Sequence, residues 1–409
     1  MSEKLRGACV FAQSGGPTSV INASAYGVIS TAMRSGAITG IYGAEHGIVG
    51  ILGDVMFDLA REDPRELELL QYTPSSELGS CRVKLKGDEE YVRILEVFKK
   101  HNIRYFFYNG GNDSMDTCDK VNRFLERENY ECRVIGIPKT IDNDLVGTDH
   151  CPGYGSAAKY IATSMAEVYK DAHVYNTGAV TVVEIMGRNA GWLTGAAALA
   201  SLSGCAPDLL YLPEVPFDSG KFIDDAKRIY EEKNNCVVAV SEGVRYGDGT
   251  FVSEASASAT DGFGHAQLGG LAAILADAAK RGTGAKVRAI ELSLLQRCGA
   301  HLASQTDIDE AREAGAAAVE FALSGSSGCM VALERGDEGG KYVCGMALRP
   351  LADVANAEKK VPLQWILPSG SDMAREFYDY ALPLIAGEPA RPLENGLPRF
   401  AKLKKIRIS

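Results

Sequence analysis

The sequence predicts an α/β protein made of two Rossmann-like three-layer domains whose mainly parallel sheets face each other across a cleft. Short apolar runs of strand length alternate with segments of helical period. Glycine pairs or acidic turns follow several of those runs directly. The chain has 409 residues, a length that suits roughly two to three domains. This β-α-β-α rhythm implies parallel strands covered by helices on both faces, with binding loops at the strand C-terminal ends.

The elements follow in order. Ala8–Ala12 is the first buried strand, and it runs into Ser14-Gly15-Gly16-Pro17-Thr18. Ile21, Ala25, Val28 and Ile29 then recur at helical spacing. Ile38–Tyr42 is a second strand, and Tyr91–Lys100 carries Tyr91, Ile94, Leu95 and Phe98 on one helical face. Tyr105–Tyr108 is a strand leading to Gly110-Gly111-Asn112-Asp113-Ser114, after which Val121, Phe124 and Leu125 mark a helix. Arg133–Ile137 is ended by Pro138 and opens Lys139-Thr140-Ile141-Asp142-Asn143-Asp144. Ala179–Ile185 ends at Met186-Gly187-Arg188, Cys236–Val240 at Ser241-Glu242-Gly243, and Lys286–Ile290 leads to Leu294–Arg297. Beyond Glu388 three prolines suggest an irregular arm, and Lys402, Lys404, Lys405 and Arg407 read as a solvated basic tail.

Composition excludes several classes. Forty-three Lys and Arg against 53 Asp and Glu give a net charge of −10, which leaves no basic excess for a nucleic-acid backbone. No apolar run approaches the ~18 residues of a membrane span, and the polar start followed by a strand does not read as a signal peptide. Ten scattered cysteines form no C-x-x-C pair and read as small core residues of a reducing compartment, so a cytoplasmic protein is expected. A Walker A loop, H-E-x-x-H and G-x-S-x-G are all missing. Gly153-Tyr154-Gly155-Ser156 lacks the third glycine of a dinucleotide fingerprint.

The loops themselves describe phosphoryl transfer. Glycine pairs entering helices let backbone N–H groups approach an anion, and helix N-termini favour negative charge. Two carboxylates spaced by one residue, Asp142 and Asp144, can supply a base and a metal ligand. Taken alone, the Asn-Asp run also reads as a plain turn.

Five motifs in one order, from the first glycine pair through GGND, TIDND, MGR and SEG, resemble the phosphofructokinase superfamily over roughly Ala8 to Arg297. That resemblance implies Asp142 as the general base for a sugar 1-hydroxyl, Asp144 organising Mg²⁺, and Thr140 bonding the transferring phosphoryl group. It implies substrate contacts from Gly15, Arg82, Ile141, Met186, Gly187, Arg188, Glu242, Arg288, Leu294 and Arg297, with Arg288 reaching across a subunit boundary. It further implies a phosphoryl-donor-binding domain of residues 1–152 plus about 298–360, and a sugar-phosphate-binding domain of 153–297 plus about 361–409. A homodimer or homotetramer is expected.

ATP-using members of the family usually carry glycine where this chain has Asp113 and Lys139. Aspartate fills the space of an α-phosphate and repels it, whereas lysine adds positive charge that suits compact pyrophosphate. The pair therefore resembles pyrophosphate-dependent members, with Lys139 and Asp113 at the catalytic centre. Two positions depart from the family pattern. Asn112 stands where a metal-linked carboxylate is common, and offers Mg²⁺ only a neutral carbonyl oxygen. Leu294 stands where His or Tyr is common. The expected reaction joins pyrophosphate and fructose 6-phosphate. Alternatives are an ATP-dependent or sedoheptulose-7-phosphate-using kinase, or a non-catalytic metabolite-sensing paralogue.

Overall fold

Two sheets organise the computed structural model of the chain, which describes residues 5–253, 268–355, 357–368 and 372–408. The first sheet takes β1 (Gly7–Gln13), β2 (Ile38–Ala44), β3 (Met56–Asp58), β4 (Ile103–Gly110) and β5 (Arg133–Pro138). The chain then leaves to build a second sheet from β6 (Ala179–Ile185), β7 (Leu209–Tyr211), β8 (Cys236–Ser241) and β9 (Lys286–Glu291). It returns through the helix Gln305–Leu323 to add β10 (Cys329–Glu338) and β11 (Lys341–Pro350) to the first. The strand orders are β11-β10-β5-β4-β1-β2-β3 and β7-β8-β6-β9.

The expectation of two mainly parallel sheets is met, with antiparallel pairs only at the margins of the larger one, β2 with β3 and β10 with β11. β1 and β4 are fully or almost fully buried apolar runs, the signature of a parallel strand covered on both faces. From β1 the chain goes first to one side (β2) and later to the other (β4). That reversal opens a crevice at the strand C-terminal ends. The smaller sheet has the same device, with β8 and β9 on opposite sides of β6.

The β10–β11 hairpin went unread in the sequence. Its turn, Gly339-Gly340, has φ of 65° and 84°, as a two-residue hairpin with both central residues left-handed requires. Only Cys329 and Met330 pair with β5; the buried apolar run Met330–Leu333 is short, and beyond it the hairpin is half-buried or exposed.

The C-terminal residues differ from expectation. They are not a solvated tail, nor do they join the smaller sheet's lobe. The backbone N–H groups of Lys404 and Lys405 donate to Glu62 at 2.7 Å each, and Asp58 N–H donates to Ile406 O at 2.8 Å. Residues 399–408 therefore close the β3 edge of the larger sheet.

Helices Ile21–Met33 and Gln305–Leu323 lie against each other on one face of that sheet, sharing a core with Phe11, Phe107 and Ile135. Reciprocal glycines bring them together. A Cβ on Gly315 would sit 2.1 Å from Ser24 O, and one on Gly27 would sit 2.0 Å from Arg312 O. Gly315→Ala is expected to lower unfolding free energy by about 1–3 kcal/mol, because backbone must move to admit the methyl group. The gain of about 1 kcal/mol in helix propensity does not offset this. Gly36→Ala, with open space around it, serves as the neutral control in the same urea titration.

Candidate active site

A cleft of about 570 Å³ separates the two sheets at their strand C-terminal ends. One wall is built by the turns after β1, β4 and β5. Gly15 adopts φ 77°, and its N–H donates to Cys81 O at 3.0 Å, holding the first glycine loop beside Arg82. The helix Asn112–Arg127 starts at the cleft with Gly111 as its cap, so its unpaired N–H groups face the opening. Lys139 is 3% exposed, and its ammonium donates to Gly16 O at 2.6 Å. Burial, and Arg82 beside it, pull its pKa down to about 8, which leaves it charged at neutral pH.

The acidic turn hangs between the lobes. Thr140 Oγ1 accepts the Asp142 N–H at 3.0 Å, so the hydroxyl still has a proton to donate. Asn143 is fully buried with φ 57°, and its side chain closes the turn by accepting the Cys151 N–H at 3.0 Å. The turn and the cleft-facing carboxylates thus fall to different residues: Asn143 makes the turn, and Asp142 and Asp144 face the cleft. Loss of hydration raises both carboxylates above the ordinary range; repulsion from Glu242 adds to the effect on Asp142, with Arg188 and Lys139 opposing it, and repulsion from Asp142 adds to the effect on Asp144.

The opposite wall comes from β6 and β8. Gly187 sits at φ 134°, and its N–H donates to Glu242 Oε1 at 3.3 Å. The loops touch backbone to backbone, since a Cβ on Gly243 would lie 2.0 Å from Arg188 O. Burial raises Glu242 to about 7. Arg188, Met186 and Glu242 line the cleft. A Cβ on Gly16 would lie 3.2 Å from Arg297 Nη1 and 3.4 Å from Arg82 Nη2, so these two guanidiniums meet above the first glycine loop.

Not every expected residue lies there. Ile141 is buried in the core of the smaller sheet's lobe, with Val183 and Ile185, rather than in the cleft. Arg288 faces a separate hollow beside Asp171, 3.6 Å away, and within one chain does not reach the cleft. Leu294 is 56% exposed and outside it. Asp113 is not an isolated charge: it pairs with Lys84 at 2.9 Å.

The sequence left other residues unmarked. Glu358 lines the cleft and accepts from Asn189 Nδ2 at 2.6 Å. Gln296 is buried and holds Met186 by accepting its N–H at 3.1 Å. Asn189 follows the MGR motif directly and could have been read with it; Glu358 and Gln296 belong to no motif.

The donor set for a cation is all oxygen. Asp142 and Asp144 share the cleft with Asn112, whose Oδ1 is buried and has no hydrogen-bond partner among the described residues. Oxygens of this kind fit a hard divalent ion such as Mg²⁺.

Comparison with known proteins agrees with this arrangement. Residues 8–322 match the phosphofructokinase family. The chain is 46% identical to pyrophosphate–fructose 6-phosphate 1-phosphotransferase of Halomonas elongata, covering 97% of this chain and 96% of that one. It is 43% identical to the protein of the same name from Methylococcus capsulatus, with 97% and 96% covered. The crystal structure of pyrophosphate-dependent phosphofructokinase from Nitrosospira multiformis superimposes with a TM-score of 0.89 at 40% identity, covering 98% of each chain. With its glycine loops and acidic turn facing Arg188 and Glu242 across one cleft, the chain belongs to the phosphofructokinase family.

Proposed function

We propose that this cleft transfers a phosphoryl group from pyrophosphate to the 1-hydroxyl of fructose 6-phosphate, giving fructose 1,6-bisphosphate and phosphate. The observation that carries the donor assignment is the pair Asp113 and Lys139, set at the mouths of adjacent strands on one wall. Lys139 puts a fixed charge where a compact donor needs it, anchored by the Gly16 carbonyl. Asp113, held by Lys84, occupies the place of an α-phosphate.

Asp142 accepts the proton of the attacking hydroxyl as the new P–O bond forms and the bond to the leaving phosphate breaks. A carboxylate raised toward neutral suits that task better than an exposed one. Thr140 O–H donates to the transferring group. On the sugar side, Arg188 and Arg297 hold the 6-phosphate and hexose, and Glu242 takes hydroxyl hydrogen bonds. A bound Mg²⁺, held by Asp144 and the Asn112 carbonyl, would neutralise charge on the donor oxygens. The remaining work is positioning and charge stabilisation, with no covalent enzyme intermediate. The two phosphate compounds are of comparable energy, so the reaction runs both ways. We place the protein in the cytoplasm as a homodimer or homotetramer, in which Arg288 faces the neighbouring copy. No helix among the described residues is long and apolar enough to cross a membrane.

Turnover of fructose 6-phosphate with pyrophosphate against ATP tests the whole reading: strong ATP use by the unmodified protein overturns the donor assignment. Asp142→Asn should fold normally and lose roughly two to four orders of magnitude in kcat. Arg297→Ala should weaken fructose 6-phosphate binding by about 1.5–3 kcal/mol with little change for pyrophosphate, as calorimetry would read. Asp113→Gly should make ATP use detectable, and Lys139→Gly should cut turnover with pyrophosphate. The two sites share the wall closely enough for non-additive effects, which kcat/KM for each donor in the double variant would measure.

A further inference from the structure

The acidic turn is gripped from behind by the other lobe. Tyr380 lies on the helix Arg375–Ala381, in the core of the smaller sheet's lobe. Its hydroxyl accepts from Asn143 Nδ2 at 2.7 Å and donates to Asp149 O at 2.8 Å. Asn143 is the residue between the two cleft-facing carboxylates, fully buried and in the left-handed conformation that asparagine tolerates better than most non-glycine residues. The phenol ring is itself fixed. Trp192 and Trp365 pack against it at centroid distances of 5.1 and 5.6 Å, and the Arg335 guanidinium lies 4.8 Å over its face. Arg335 also bonds Tyr380 O and chelates Asp149, so the far end of the grip is anchored as well.

We propose that Tyr380 and Asn143 are positioning residues, a clasp through which the smaller lobe sets where the Asp142 and Asp144 carboxylates stand in the cleft. The proposal rests on Asp142 as the base. Neither clasp residue touches the cleft, so neither should alter substrate affinity. A shift of the carboxylate by a fraction of an ångström changes the attack geometry and hence kcat. The clasp also ties the acidic turn to the lobe that carries the sugar-phosphate groups.

The test uses the full chain as Tyr380→Phe, Asn143→Gly and the double variant. Phenylalanine keeps the ring packing and removes only the hydroxyl, and glycine keeps the left-handed backbone and removes only the amide. Each single change should lower kcat about tenfold with KM for pyrophosphate and fructose 6-phosphate within about twofold. The double variant should lose less than the product of the two single losses, since both changes break the shared Asn143–Tyr380 bond while each also removes one bond of its own, to Cys151 or to Asp149. The Cys151 amide, held by Asn143, should exchange its hydrogen faster in Tyr380→Phe while the melting temperature stays near that of the parent. Unchanged kcat in Tyr380→Phe, additive losses in the double variant, or a rise in KM matching the loss of kcat would each overturn the clasp. The exchange measurement needs no turnover, so it tests the clasp even if the parent proves inactive with pyrophosphate; unchanged exchange overturns it there.

Discussion

Ile141 is buried in the core of one lobe, whereas Leu145 and Cys151 belong to the core of the other. The turn between them cannot follow either lobe alone. Everything in the cleft depends on this: the carboxylates it carries are placed by the fit of two separate hydrophobic cores. Burying those side chains is a nondirectional driving force, but the hydrogen bonds from Thr140 and Asn143 convert it into a defined backbone path. The glycines opposite serve the same end, since Gly243 lets the loops after β6 and β8 touch where any side chain would hold them apart.

Within this frame, the electrostatics are balanced rather than simply basic. Arg82, Lys84, Lys139 and Arg188 share the cleft with Asp113, Asp142, Asp144, Glu242 and Glu358. A protein with a net charge of −10 thus meets anionic substrates through local pairing, not a long-range field. Confinement raises the proton affinity of Asp144 and Glu242. Asp113 is neutralised in part by Lys84, 2.9 Å away.

How far the sequence could be read follows from what each segment buries. β1, β4, β5, β6 and β8 are nearly continuous apolar runs, and their expected bounds fall within a residue or two of those seen. The helix Gln305–Leu323 escaped because its buried face is mostly alanine and glycine, with Asp307 and Glu310 buried among them, and so shows little contrast in polarity. The β10–β11 hairpin escaped because it is half exposed, although Gly339-Gly340 marks its turn. In the cleft, residues on glycine-rich or acidic loops were legible. Ile141 was assigned to the ligand by its place in the motif, yet its side chain serves the core. Glu358 and Gln296 reach the site from segments whose local pattern says nothing of it, and only the tertiary fold brings them there.

The return of the chain to its first sheet has a consequence for biosynthesis. β5 has β4 on one side but lacks its second neighbour until Cys329 and Met330 are made, and the β3 edge stays uncovered until residues 399–408 emerge from the ribosome. The smaller sheet, from Ala179 to Glu291, is by contrast contiguous in sequence and complete well before then. Vectorial synthesis therefore finishes the interrupted lobe last, with two open strand edges exposed to other nascent chains during the interval.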